Sequence, residues 1–151
     1  MNITKAQKTI FNALLSGDHV RRFDFDKDNV FITPGGTHGF VLPYSTLQVN
    51  IDRIQEFKPL DLLSVVKEEN RFRLTRELLL NEHPKAYLRK LTNGERNVFL
   101  NQKYMECFQN PRFYQEKPNY IVVVTEDISA ARKNVIVGAI LPVRVDENLY
   151  K

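Results

Sequence analysis

The sequence predicts an α+β fold of two units, each a helix with a curved antiparallel sheet, related by a pseudo-twofold axis. Three observations predict it. The apolar stretch "VIVGAILPVRV", residues 135–145, contains Gly138 and Pro142, residue types normally kept out of strand interiors. The same grammar occurs earlier in "GTHGFVLPYS", where Gly39 and Pro43 again stand four apart and enclose three apolar residues. Each stretch also closes the same run of elements: a helix, a hairpin, then this strand.

The elements can be justified in order. "ITKAQKTIFNALLSG" offers Thr4 as N-cap, Gln7 as its capping-box partner and Gly17 as a stop. Ala6, Ile10, Ala13 and Leu14 recur at helical spacing, with Lys5, Lys8 and Asn12 on another face, so the pattern predicts a helix over 4–16. "RRFDFDKDNVFITPGG" alternates through Phe23 and Phe25, turns at "DKDN" and resumes at Val30 and Ile32, which is a hairpin. "GFVLP" and "STLQVNID" read as further strands.

In the middle, "PLDLLSVVKEEN" reads as a short helix after Pro59. "RLTRELLLNEH" fits a helix or a strand, because its apolar run is too short for periodicity to decide, and Pro84 interrupts it. "AYLRKLTNGERNVFLN" is a hairpin, with "NG" marking the turn. A second helix is expected over 101–109 in "LNQKYMECFQN", and "NYIVVVTEDISAARKNVIVGAILPVRV" supplies a strand, an acidic turn and a strand.

The halves correspond at two offsets. Thr4, Ile10 and Phe11 answer Asn101, Cys107 and Phe108 at a separation of 97, whereas Gly39 and Pro43 answer Gly138 and Pro142 at 99. The shift falls in loops, which tolerate insertion. The expectation is one domain, 1–151, with half-units of about 1–55 and 86–146. Phe11 and Phe108 should occupy equivalent core sites. Gly138 should ease a bend or bulge, and Pro142 should mark a strand end.

Composition bounds the function classes. The length suits a single domain with a real core. No apolar run approaches the ~20 residues of a membrane helix, and the N-terminal stretch lacks the apolar core and cleavage site of a leader. With one cysteine, Cys107, no internal disulfide can form. A cytoplasmic protein with no membrane role is expected. The formal charge of +4 tilts partners toward polyanions only slightly, because Arg21 and Arg22 sit beside Asp24, Asp26 and Asp28.

No catalytic residue, metal site or cofactor is expected. His19, His38 and His83 lack ligand spacing with each other or with Cys107. Cys107 reads as a buried, inert thiol. Ser45, Ser64 and Ser129 lack a nucleophile-elbow context. "PGGTHG", 34–39, leads into a strand and not into the helix N-terminus an anion site needs. Asp24, Asp26 and Asp28 lack the glycine and final glutamate of a calcium loop, and read as a solvated hairpin tip.

"VFLNQKYMECF", "YIVVVTED" and "VIVGAILPVRV" together resemble the final repeat of bacterial sliding clamps, the polymerase processivity factors. That family closes on a strand of the type methionine-proline-methionine-arginine-leucine. Leu141, Pro142, Val143, Arg144 and Val145 follow the pattern with both methionines replaced. The resemblance covers 96–145, weakens over 1–50 and is absent from 56–85.

The resemblance implies a clamp-like domain of two strand-helix-strand-strand-strand units, with helices on one side and a continuous sheet on the other. It further implies a non-enzymatic role in DNA replication or mobile-element maintenance, with duplex DNA and replication proteins as partners. In such an arrangement Lys5, Lys8 and Lys103 would be the DNA-binding residues, facing phosphate in a salt-sensitive way. A familiar clamp subunit has several such domains and this chain about one, so a monomer or small oligomer is expected over a hexameric ring. Two other classes stay open: a protein-binding regulatory module with the same fold and no DNA role, and a small enzyme with an unrecognised site.

Overall fold

Asn2, not Thr4, starts the first helix. Its side-chain oxygen accepts the Lys5 N–H at 3.0 Å, and α1 runs Ile3–Leu15. Ala6, Ile10 and Ala13 are buried, as the spacing predicts. Gly17 ends the helix with φ of 76°, a left-handed conformation that costs glycine little.

The computed structural model describes residues 1–82, 85–128 and 133–146. Among them the strands are β1 (Arg21–Asp24), β2 (Asn29–Thr33), β3 (His38–Pro43), β4 (Gln55–Phe57), β5 (Arg71–Glu82), β6 (Lys85–Thr92), β7 (Asn97–Asn101), β8 (Arg112–Tyr114), β9 (Val122–Ile128) and β10 (Lys133–Ile140). A one-turn helix, α2 (Gln102–Met105), follows β7. The strands form one sheet in the order β4-β1-β2-β3-β10-β9-β8-β5-β6-β7. Every pairing is antiparallel except β1 with β4. The α+β class and the hairpins β1–β2 and β6–β7 follow the sequence reading.

Both faces of the central strands are covered, so β2, β3 and β9 read as near-continuous apolar runs. On one face, Ile10 and Ala6 of α1 and Phe108 after α2 pack against Ile32, Phe40 and Val124. On the other, Leu62 and Val65 cover Phe31, Val41 and Val123.

Three expected elements take other forms. "STLQVNID" is not a strand but two single 3-10 turns, Tyr44–Thr46 and Ile51–Arg53. Buried Gln7 replaces the missing strand partner: its Nε2 donates to the Thr46 carbonyl at 2.6 Å, and its Oε1 accepts the Gln48 N–H at 2.8 Å. "PLDLLSVVKEEN" contributes two more 3-10 turns, Leu63–Val65 and Glu68–Asn70. The second helix stops at Met105, because the chain must turn inward to bury Cys107 and Phe108, and the Asn2 N–H holds the Cys107 carbonyl at 2.8 Å. "RLTRELLLNEH" resolves as strand β5. Pro84, His83 and Ser129 lie outside the described residues.

The two G-x-x-L-P strands, β3 and β10, are neighbours at the middle of the sheet, with Gly138 opposite Phe40 and Ala139 opposite Gly39. This register is one residue away from making the glycines equivalent. Since side chains alternate between faces, they serve opposite sides. A side chain at Gly39 would meet Phe31 and Thr33, and one at Gly138 would meet Phe108 and the Gly39 carbonyl. The bulge expected near Gly138 is present, between Ile136 and Gly138. Pro142 does follow the strand end. Beyond it the Val143 N–H donates to the Phe99 carbonyl at 2.9 Å, which covers the outer edge of β7.

Phe11 and Phe108 are not equivalent either. Phe108 is 8% exposed and Phe11 is 51% exposed. Ile10 already fills the inward position of that helical turn, and the next residue lies about 100° round the helix. What does correspond is element order: α1-β1-β2-β3 and α2-β8-β9-β10 run outward in mirrored fashion from the β3–β10 pair.

Candidate functional site

α1 and the segment around α2 cover the same core, so their outward sides share one side of the sheet. Lys5, Lys8 and Lys103 are all exposed there. Lys5 Nζ lies 3.1 Å from Glu106 Oε2, an ion pair with both side chains about half exposed, which links the two helical segments. Such a pair contributes little stability. It does cancel part of the positive field on that side.

Lys8 borders a shallow groove of about 350 Å³ with Phe11, Gln48 and Val49. Along the same helix Phe11 and Leu15 stand exposed, Leu15 at 71%. Sequence reasoning missed this apolar stretch because it assigned Phe11 to the core. The signal was present: Ala6, Ile10 and Ala13 complete the inward arc without it.

Close to Lys103, the His38 ring stacks on Tyr104, with centroids 4.0 Å apart and planes 12° apart, and meets Phe40 edge-on at 5.4 Å. Its Nδ1 is 3.2 Å from the Thr37 hydroxyl. Burial, helped by the Lys103 charge, lowers its pKa to about 4. The unfolded chain therefore takes up this proton first, near pH 6.5. His38 contributes stability that is complete above that value and is lost as pH falls toward 4. Unfolding titrations in urea should show a loss of about 2–3 kcal/mol across this window, allowing for the ring's partial exposure. In His38→Phe that slope should disappear; an unchanged slope would reject the assignment.

Several of the other candidate groups have structural duties. Cys107 is buried, and burial pushes its thiol pKa up. The Asp26 carboxylate accepts the Asp28 and Asn29 N–H groups, both at 2.8 Å, and so caps the β1–β2 turn. Asp24 accepts the Tyr44 hydroxyl at 3.1 Å, and Asp28 is exposed. The loop of Gly35 and Gly36 borders a cavity of about 150 Å³ lined by Phe23, Phe31, Leu60 and Ile121 together with Arg21, Thr37 and His38, and the loop leads into strand β3, not into a helix N-terminus that would favour an anion. His19, Ser45 and Ser64 are exposed. Among the described residues no group of three His, Cys, Asp or Glu side chains converges to hold a metal ion.

A buried polar cluster was not legible in the sequence. The Arg96 guanidinium lies 4.7 Å over the Phe72 ring and donates to the side-chain and main-chain oxygens of Gln115. Gln115, 1% exposed, passes its own Nε2 to the Tyr120 carbonyl at 2.7 Å. Burial lowers the Arg96 pKa. The cluster fastens the β6–β7 hairpin to the 115–120 loop.

Compared with known proteins, the chain matches no family model, no curated protein and no solved structure. Among the described residues no helix is long and apolar enough to cross a membrane.

Proposed function

We propose that the protein is a non-enzymatic, clamp-like platform acting in DNA replication or mobile-element maintenance, with duplex DNA meeting the helix side that carries Lys5, Lys8 and Lys103. The observation that carries this reading is the mirrored order of α1-β1-β2-β3 and α2-β8-β9-β10, with both helices on one side of a continuous sheet. It supports a pseudo-twofold, clamp-like plan at the level of elements, although the residue correspondences at 97 and 99 do not hold. The exposed lysines supply charge without base-reading groups, which suits sequence-independent contact.

The test is binding to closed circular duplex DNA, from which a ring cannot slide, across a salt series. If the three lysines each neutralise a phosphate, log K should fall with log salt at a slope of about −2 to −3, and Lys→Gln at all three positions should remove most of it. No binding at low salt, or a slope untouched by the triple variant, would overturn the DNA role. Exposed Phe11 and Leu15 favour a second reading, a protein-binding module with no DNA role, because apolar side chains on that helix gain nothing from phosphate. Under that reading Phe11→Ser and Leu15→Ser would abolish partner capture and leave DNA binding at background.

A further inference from the structure

The cavity of about 150 Å³ beside Gly35 and Gly36 lies on the side of the sheet where Phe23, Phe31 and Ile121 pack, away from the helices. Leu60 and Leu141 border it, each with 44% of its surface in water. Large apolar side chains left exposed around one hollow are stabilised by whatever covers them. A cavity of this size with such walls takes a single benzene-sized ring.

The cavity also carries one fixed charge. Among the described residues no carboxylate lines it, and Arg21 is its cation. The other titratable group in the lining, His38, is neutral at pH 7 because its pKa is about 4. The Arg21 guanidinium sits 4.8 Å over the Phe57 ring, which props it at the rim, and among the described residues no acid pairs with it. Strand alternation turns Arg22 and Asp24 to the opposite face. There Arg22 donates to the Ile54 carbonyl at 3.0 Å and reaches Glu56, and Asp24 accepts from Tyr44. Thr33 stands directly opposite Arg21 on β2 and borders the cavity as well.

We propose that this cavity binds a small aromatic monocarboxylate, with the ring between Leu60, Leu141 and the two phenylalanines and the carboxylate on Arg21. A guanidinium meets a carboxylate through two parallel N–H···O bonds, a match that an ammonium cannot make. The volume and the charge together set the class of ligand. A fused two-ring acid would leave one ring outside, and a dianion such as phosphate would meet a single cation with no helix N-terminus to help it. A neutral ring would fill the hollow and leave Arg21 unused. The inference rests on neither the helices nor their lysines, so it stands apart from the DNA reading.

The test is an amide chemical-shift titration with benzoate and phenylacetate, set against benzamide, which lacks the charge, and acetate, which lacks the ring. At least one of the two aromatic acids should saturate with a Kd of about 1 mM or tighter and shift the amides of Thr33, Gly36 and Ile121. Benzamide and acetate should each bind at least about tenfold more weakly. Arg21→Gln should abolish the preference for the acid over benzamide. Leu60→Ala removes a wall, so it should weaken the acid and leave that preference intact. Both positions are exposed, and the same spectra report that the variants fold. No saturable binding of either acid would overturn the proposal and leave the hollow to a side chain of another protein. Benzamide binding as tightly as the acids, or a preference that survives Arg21→Gln, would overturn it equally.

Discussion

Replacing Phe108 with alanine should destabilise the protein by about 3–5 kcal/mol, whereas the same change at Phe11 should cost about 1 kcal/mol or less. Phe108 is 8% exposed, its ring centroid is 6.0 Å from that of Phe40, and its edge lies against Gly138. It therefore fills the space beneath the central β3–β10 pair, where neither strand can collapse inward without disturbing its ladder. Truncation would leave a cavity and lose most of an aromatic burial. Phe11 has half its surface in water already and borders only the groove beside Val49. Urea unfolding of both variants measures the difference directly. Equal costs would restore the equivalence that the 97-residue spacing suggested, and a near-neutral Phe108→Ala would reject its core role.

That comparison also shows what the sequence can carry. Hairpins were legible because their signals are local: "DKDN" between alternating phenylalanines and "NG" between strand-like runs specify turns wherever they occur. α1 was legible because its inward residues obey the helical period. "STLQVNID" failed because alternation is also met by a chain whose apolar residues rest against a helix, here held by Gln7 through two hydrogen bonds. A side chain 39 residues away leaves no trace in the local pattern.

The second helix failed for a related reason. Tyr104, Cys107 and Phe108 have helical spacing, yet Cys107 and Phe108 reach the core by leaving the helix after Met105. The lysines of the candidate face could be placed on their elements, since exposure follows from the opposite face being apolar. The ion pair of Lys5 with Glu106 was not legible, because it depends on how α1 and α2 meet. The Arg96–Gln115 cluster had no sequence signal, because neither residue type marks burial.

Gly138→Val should be the most damaging single substitution at the β3–β10 pair, with a loss of more than about 3 kcal/mol. A Cβ at this position would lie 2.5 Å from the Gly39 carbonyl oxygen and 2.7 Å from the Phe108 ring. The ring could turn aside; the carbonyl cannot, because Gly39 is held in the ladder opposite Ala139. The strands would have to separate where the sheet is buried on both faces. Gly138→Ala should already be costly, and Phe108→Ala combined with it should not rescue it, because the backbone contact persists. Gly35→Ala provides the contrast. Nothing lies within 4 Å of a Cβ there, so it should be neutral or stabilising by about 0.4–1 kcal/mol through the unfolded chain. Thermal and urea unfolding of these variants test the argument. A Gly138→Ala protein as stable as wild type would mean that the β3–β10 pair is not packed as described, and that the glycine in "VIVGAILPVRV" serves another end.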